Sequence, residues 1–216
     1  MSNIISWAGR KGGAGKSTLA IATTAELYRR GHNTILVDLD PQRSSVTWGD
    51  IAEENAEGDD FPPVVFMREE LKVRLPEIRD HFDYVILDAP GRSDSLQDTA
   101  IVLADLALLP ATPDTTDVWA VTESVDLIRQ AQKRNPTLNG AIVLNKIRAT
   151  TAEAKHARET FEPTGLPILN TEIGYRVAYS RFASAGAGVV EYSGKSSKAG
   201  QEVTSLVDEI LEHLDR

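Results

Sequence analysis

The chain has 216 residues, is 41% hydrophobic and contains no cysteine. It therefore has enough apolar material for one globular domain spanning 1–216, and no means of forming disulfides, thiolate metal sites or cysteine-held iron–sulfur clusters. A formal net charge of −9 excludes a surface that is basic throughout, so any contact with nucleic acid must rest on a local patch.

Residues 4–19 read as strand, loop and helix. The apolar run from Ile4 gives way to Gly9-Arg10-Lys11-Gly12-Gly13-Ala14-Gly15, four glycines in seven residues, then to Lys16, Ser17, Thr18 and a helical pattern from Leu19. Glycine permits the backbone angles that turn successive N–H groups toward an anion, and a helix N-terminus adds the positive end of its dipole. In a cradle formed by the backbone of residues 12–18, Lys16 would reach the outer phosphates of a nucleotide and Ser17 would offer a hydroxyl to Mg2+. The plain alternative is a glycine-rich turn between strand and helix; lysine and serine at the helix start favour the phosphate loop. The strict loop pattern asks for glycine five positions before Gly15, where Arg10 stands. What is present is Lys11-Gly12-Gly13-Ala14-Gly15-Lys16-Ser17, with an extra lysine near its start.

The first helix closes at Arg29, Arg30 and Gly31, and residues 34–37 form a short apolar strand. That strand runs into Asp38 and Asp40, with Pro41 ending regular pairing. Residues 44–58 read as a loop or weak helix that turns acidic. A strand follows at 64–67, then a charged helix at 68–81 interrupted by Pro76. Residues 82–91 are a second strong signal, four apolar residues feeding Asp88 and then Ala89-Pro90-Gly91. Helices at 96–103, 117–133 and 152–161 alternate with strands at 106–109, 141–145 and 166–169. This is the signature of a doubly wound, mostly parallel α/β sheet flanked by helices. The last helix carries Val203, Leu206, Val207, Ile210, Leu211 and Leu214 on one stripe, with Glu202, Asp208, Glu209, Glu212 and Asp215 opposite.

At the carboxyl ends of parallel strands, where ligands bind such sheets, three aspartates collect. Asp88 after its apolar run reads as a magnesium aspartate, with a turn-forming strand end as the alternative. Asp38 and Asp40 alternate along the chain, so in an extended segment they point the same way. One would help to hold magnesium while the other orients water or takes its proton; a surface Asp-Pro turn is the alternative for Asp40.

The loop from Lys11 to Ser17, together with Asp40-Pro41-Gln42-Arg43-Ser44-Ser45 and Asp88-Ala89-Pro90-Gly91 as its two switch segments, resembles the ParA/MinD family of P-loop ATPases. The resemblance covers essentially the whole chain and implies a P-loop ATPase fold that binds ATP and Mg2+ through Lys11, Gly12, Gly13, Ala14, Gly15, Lys16, Ser17 and Thr18. It implies that Lys11 reaches the phosphates of ATP held by the other subunit of a homodimer, that Asp40 is the hydrolysis residue, and that Ser17, Asp38 and Asp88 serve the metal. It suggests Asn145 for the adenine edge, an amide being able both to donate and to accept, although a surface loop explains that residue as well. Residues 171–190 resemble the family's loop and helix that wrap the nucleotide.

The layout is similar to the small ParA-type partition or positioning ATPases, which implies an ATP-dependent dimer on nonspecific nucleoid DNA. Such a dimer moves a plasmid, a chromosome region or a protein assembly, and a small adaptor or stimulating protein triggers hydrolysis. Arg176, Arg181, Lys195 and Lys198 are the candidates for DNA phosphates, with ordinary solubilising charges as the alternative. A MinD-like membrane cycle is disfavoured, because the acidic face of the last helix would be repelled by anionic lipid. A metabolic ATP-using enzyme of the dethiobiotin-synthetase type stays open. No apolar run reaches the roughly 18–20 residues of a membrane helix and no signal-peptide layout precedes the first strand, so a cytoplasmic location is expected.

Overall fold

The computed structural model describes residues 2–55, 61–91, 95–113, 117–148 and 152–215. Six strands, β1 (Asn3–Trp7), β2 (Thr34–Asp38), β3 (Val64–Phe66), β4 (Tyr84–Asp88), β5 (Leu106–Ala111) and β6 (Asn139–Leu144), form one sheet in the order β3-β2-β4-β1-β5-β6. Every neighbouring pair is parallel. Such strands are buried on both faces, which is why they read as continuous apolar runs.

The intervening helices are α1 (Lys16–Arg29), α2 (Ser44–Asn55), α3 (Leu71–Arg79), α4 (Ser95–Leu103), α5 (Asp117–Gln132) and α6 (Ala152–Phe161). Beyond the sheet come short helices α7 (Val177–Arg181) and α8 (Val189–Ser193), and the long α9 (Lys198–Leu214). Successive strand residues point to opposite faces, so Ile4, Val85 and Leu87 join one core with α3 to α6. Ile5, Trp7 and Ile86 join the other, with α1 and α9. The stripe Val203, Leu206, Val207 and Ile210 of α9 is fully inside that second core.

The predicted elements needed four adjustments. Helix α1 starts at Lys16, three residues before the apolar pattern, because the end of the phosphate loop is already helical. Residues 44–55 form a helix rather than a loop, while 56–58 lie outside the described residues. The helix predicted over 68–81 is confined to Leu71–Arg79, and Pro76 sits within it. The strand expected at 166–169 is not formed: only a single parallel bridge joins Ile168 to Ile142. Pro167 has no N–H to extend a ladder, so its carbonyl accepts from Ile142 N at 2.8 Å and Leu169 N donates to Ile142 O at 2.9 Å.

All strand C-termini lie at one edge of the sheet. Register places Asp38 beside Asp88, and Asp88 beside Trp7. The phosphate loop leaves β1, the neighbour of β4 on the side away from β2. Among the described residues no helix is long and apolar enough to cross a membrane.

Candidate nucleotide-binding site

The loop between β1 and α1 borders a cavity of about 1030 Å3. Gly12, Gly13, Gly15, Lys16, Ser17 and Thr18 line it from one side, Asp40, Pro41 and Gln42 from the β2 end, Pro90 and Gly91 from the β4 end, and Arg10 and Lys146 at the rim. Gly15, the residue before α1, has φ +105° and no side chain with which to cap the helix. The first N–H groups of α1 are thereby left open toward the cavity, with no acidic side chain in the first turn to neutralise them.

One close approach requires glycine here, and a second would ask only a flexible side chain to move. A Cβ on Gly15 would stand 2.3 Å from Nδ2 of Asn145, and one on Gly91 would stand 2.9 Å from Nζ of Lys16. The second contact brings the segment after β4 against the phosphate loop.

Lys16 is buried, and its ammonium donates to the carbonyl of Lys11 at 3.3 Å. Burial lowers its pKa, and the nearby carboxylates of Asp88 and Asp40 oppose that shift. A buried ammonium next to two carboxylates at the cavity wall is poised to exchange them for phosphate oxygens. Asp88 is fully buried at the end of β4. Its Oδ2 accepts from the hydroxyl of Ser45 at 2.8 Å, whereas its Oδ1 has no partner. Burial and the neighbouring Asp38 push the carboxyl up to about 7, against the opposing influence of Ser45, Ser17 and Lys16. A buried oxygen without a donor, close to a hydroxyl, is a fitting ligand position for a hard cation. Among the described residues no group of three acidic, His or Cys side chains could hold a metal by itself, so the site suits a cation that shares its ligands with phosphate.

Asp38, expected to serve the magnesium, is held by backbone donors in this structure. Its Oδ2 accepts from the backbone N–H of Ser45 and Val46 at 2.9 and 3.0 Å, and its Oδ1 accepts from Asp40 N at 3.0 Å. The carboxylate therefore caps the start of α2 from outside the helix and fixes the segment carrying Asp40. Burial raises its pKa, the three backbone donors counter this, and Asp40 adds to it. Asp40 itself is half-buried on the cavity wall, and its Oδ1 accepts from Gln42 N at 2.9 Å.

Asn145, suggested for the adenine edge, is held by backbone in this structure. Its Nδ2 donates to the carbonyl of Ala14 at 2.7 Å and its Oδ1 accepts from Lys146 N at 2.8 Å. Both ends of the amide hold backbone, so the residue braces the phosphate loop. Ala14 is buried and takes part through that carbonyl.

The four basic residues considered for DNA do not form one free patch. The guanidinium of Arg176 is paired with the carboxylate of Glu202, with Nε at 2.9 Å from Oε1. Arg181, Lys195 and Lys198 are exposed. Lys198 and Arg176 line a shallow groove of about 480 Å3 that also holds Glu172 and Glu202, so its cations face carboxylates.

Three contributors escaped the sequence reading of the site. Ser45 orients Asp88, and its place at the end of the first switch segment was the available signal. Lys146, with φ +57°, donates its ammonium to Gly13 O at 2.7 Å. The backbone N–H of Arg10 donates to the hydroxyl of Ser124 on α5 at 3.1 Å. Neither of the last two contacts has a sequence signature, since they join positions more than a hundred residues apart.

Comparison with known proteins follows the same geometry. The family model described as the CobQ/CobB/MinD/ParA nucleotide binding domain matches residues 5–189. Maintenance of carboxysome distribution protein A of Halothiobacillus neapolitanus is 30% identical over 203 residues, 93% of each chain. A variant of Cyanothece McdA in complex with ATP superposes with a TM-score of 0.79 at 16% identity, covering 97% of this chain and 96% of that one. Cobyrinic acid a,c-diamide synthase of Mycobacterium smegmatis, with bound ADP and magnesium, gives 0.74 at 20% identity, covering 100% and 96%. At such identities these two structures show a shared fold.

Proposed function

Because the chain belongs to the CobQ/CobB/MinD/ParA nucleotide-binding family, we propose that it is an Mg2+-dependent ATPase of the ParA/MinD type. It works as a switch: ATP drives a homodimer that holds nonspecific nucleoid DNA and positions a cargo, and a partner protein stimulates hydrolysis to release it. The observation that carries this reading is the loop itself. Lys11 precedes a glycine cradle that lines one cavity together with buried Lys16 and Asp40.

In this reading the N–H groups of residues 12–18 and the ammonium of Lys16 bind the phosphates and balance the charge that spreads over the transferred group. Ser17 and Asp88, directly or through water, would hold Mg2+, which supplies charge neutralisation between the outer phosphates. Asp40, which lines the cavity, would orient the attacking water and accept its proton. Asp38 and Ser45 are positioning residues, the first for Asp40 and the second for Asp88. Lys11 crosses to the nucleotide of the second subunit, which makes hydrolysis depend on dimerisation.

The relative named for carboxysome distribution favours a large protein assembly as the cargo. The protein would then act in the cytoplasm on the nucleoid, with Arg181, Lys195 and Lys198 as the remaining candidates for DNA phosphates and Arg176 held in reserve by Glu202.

A second reading, a metabolic ATP-using enzyme, has in its favour that a cobyrinic acid diamide synthase shares the fold. A binding assay on nonspecific duplex DNA, with ATP, ADP or no nucleotide at stated salt, separates the two. Retention with ATP alone is the expected outcome, steep in salt because the contacts are to phosphate. Absence of binding in every nucleotide state would favour the metabolic enzyme.

A further inference from the structure

Helix α5 presents an unusual outer face. Its inner positions Val121, Ser124, Val125 and Ile128 are buried against the sheet. On the opposite side, at i and i+4, stand Trp119 and Glu123, neighbours on one helical face. The indole is 81% exposed. The chain's other two tryptophans, Trp7 and Trp48, are buried, so exposure of this large apolar ring is not the general state of tryptophan in this protein.

A lone exposed apolar side chain needs no explanation. Here the ring is one turn from an ion pair that reaches the phosphate loop. Nη1 of Arg10 lies 3.3 Å from Oε2 of Glu123, the Arg10 side chain half-buried and that of Glu123 exposed. The backbone N–H of Arg10 is tied to the Ser124 hydroxyl, and that hydroxyl donates to Ala120 O at 2.6 Å. The first turns of α5 are thus attached to the residue that opens the nucleotide loop. The Arg10 Nε atom is buried without a partner, so its guanidinium is only partly satisfied within one chain.

Such a patch carries an anion, a cation and an apolar ring side by side, at the rim of the nucleotide cavity. About a two-fold axis it is complementary to itself: the cation of each copy meets the anion of the other, and the two rings fill the middle. An exposed ion pair contributes little within one chain, roughly 0 to 1 kcal/mol, so exchanging its partner costs little. We propose that Trp119, Glu123 and Arg10 form a homodimer contact, that the second copy of this chain is its occupant, and that nucleotide controls it through the tie between Arg10 and α5. This rests on the proposed ATP-dependent dimer and names the surface that closes it.

The test uses the exposed indole as its own reporter. Acrylamide quenching of tryptophan emission is measured alongside the sedimentation mass for the wild type with Mg2+-ATP, with Mg2+-ADP and without nucleotide. Trp119→Ala and Glu123→Arg are measured in the same way, with nucleotide affinity determined separately. The expected result is a dimer with ATP in which quenching falls several-fold, because only Trp119 is open to the quencher in the monomer. Each variant should bind nucleotide within about two-fold of the wild type. Trp119→Ala should weaken dimerisation on the order of 30-fold, the loss typical of a central aromatic anchor.

Two results overturn the inference in distinguishable ways. A wild type that dimerises with ATP while its indole stays fully quenchable, with Trp119→Ala dimerising equally well, removes this surface and leaves the dimer reading intact. A wild type that stays monomeric at saturating Mg2+-ATP removes both.

Discussion

The tightest packing in the nucleotide site is between Gly15 and Asn145, and substitution there has a predictable cost. A methyl at position 15 would stand 2.3 Å from Asn145 Nδ2 and would sit on a backbone with φ +105°. The backbone strain is worth roughly 1–2 kcal/mol for an L-residue. Asn145 must also withdraw and give up its 2.7 Å bond to Ala14 O, leaving buried polar groups unpaired at roughly 1–3 kcal/mol. Gly15→Ala should therefore destabilise by roughly 2–5 kcal/mol and abolish tight nucleotide binding, because the loop loses its brace. Asn145→Ala alone should cost only the second contribution. In the double variant the clash has no target, so its loss should fall short of the sum of the single losses by at least roughly 1 kcal/mol. Urea denaturation of the four proteins, with nucleotide affinity by calorimetry, measures each corner. Gly12→Ala is the control: a Cβ there meets nothing within 4 Å, and stability should be unchanged. Additive losses, or a Gly15→Ala protein that binds nucleotide like the wild type, would refute the reasoning.

The buried carboxyl of Asp88, pushed up to about 7 from 3.8, keeps its proton in the folded chain at pH values where the unfolded chain has lost it. Without Mg2+ and nucleotide, stability should therefore fall as pH rises from about 4 to about 7, by up to about 4 kcal/mol at 1.36 kcal/mol per unit. Asp88→Asn should flatten that slope and melt above the wild type at pH 8 in chelator, even after roughly 1–2 kcal/mol for an unmatched amide; thermal melts across pH decide it. In α9, a Cβ on Gly200 would lie 2.3 Å from Gly194 O. Although alanine favours helix by about 1 kcal/mol, Gly200→Ala should destabilise by roughly 1–3 kcal/mol, and a stabilised variant in urea denaturation would contradict the packing.

The strands were legible because most are short apolar runs, two of them ending in aspartate, and burial on both sheet faces demands nothing subtler. The cradle was legible for a similar reason: glycine, lysine and serine at fixed spacing have few other uses. What stayed hidden depends on contacts remote in sequence. Helix α2 has few apolar positions, and its start is capped by a carboxylate at the end of β2, seven residues before Ser45, so no local cap announces it. The spacing of Asp38 and Asp40 showed that both reach the site edge, but not that backbone N–H groups already occupy Asp38. Asn145 was recognisable as an amide at a strand end; that Ala14 O takes it is a matter of how β6 lies against the phosphate loop. Arg176 read as a free cation because Glu202 is 26 residues away on another helix. Residues 166–169 were misjudged because proline in a short apolar run leaves the hydrophobic pattern of a strand and removes the donor it needs.

That Lys11 makes the loop one half of a two-subunit site is tested most directly by the sedimentation mass of Asp40→Ala and Lys11→Ala at saturating Mg2+-ATP. Asp40→Ala, binding ATP without hydrolysing it, should persist as a dimer that returns to monomer when ADP replaces ATP. Lys11→Ala should bind nucleotide and remain monomeric. A Lys11→Ala protein that dimerises as tightly as Asp40→Ala would contradict the account.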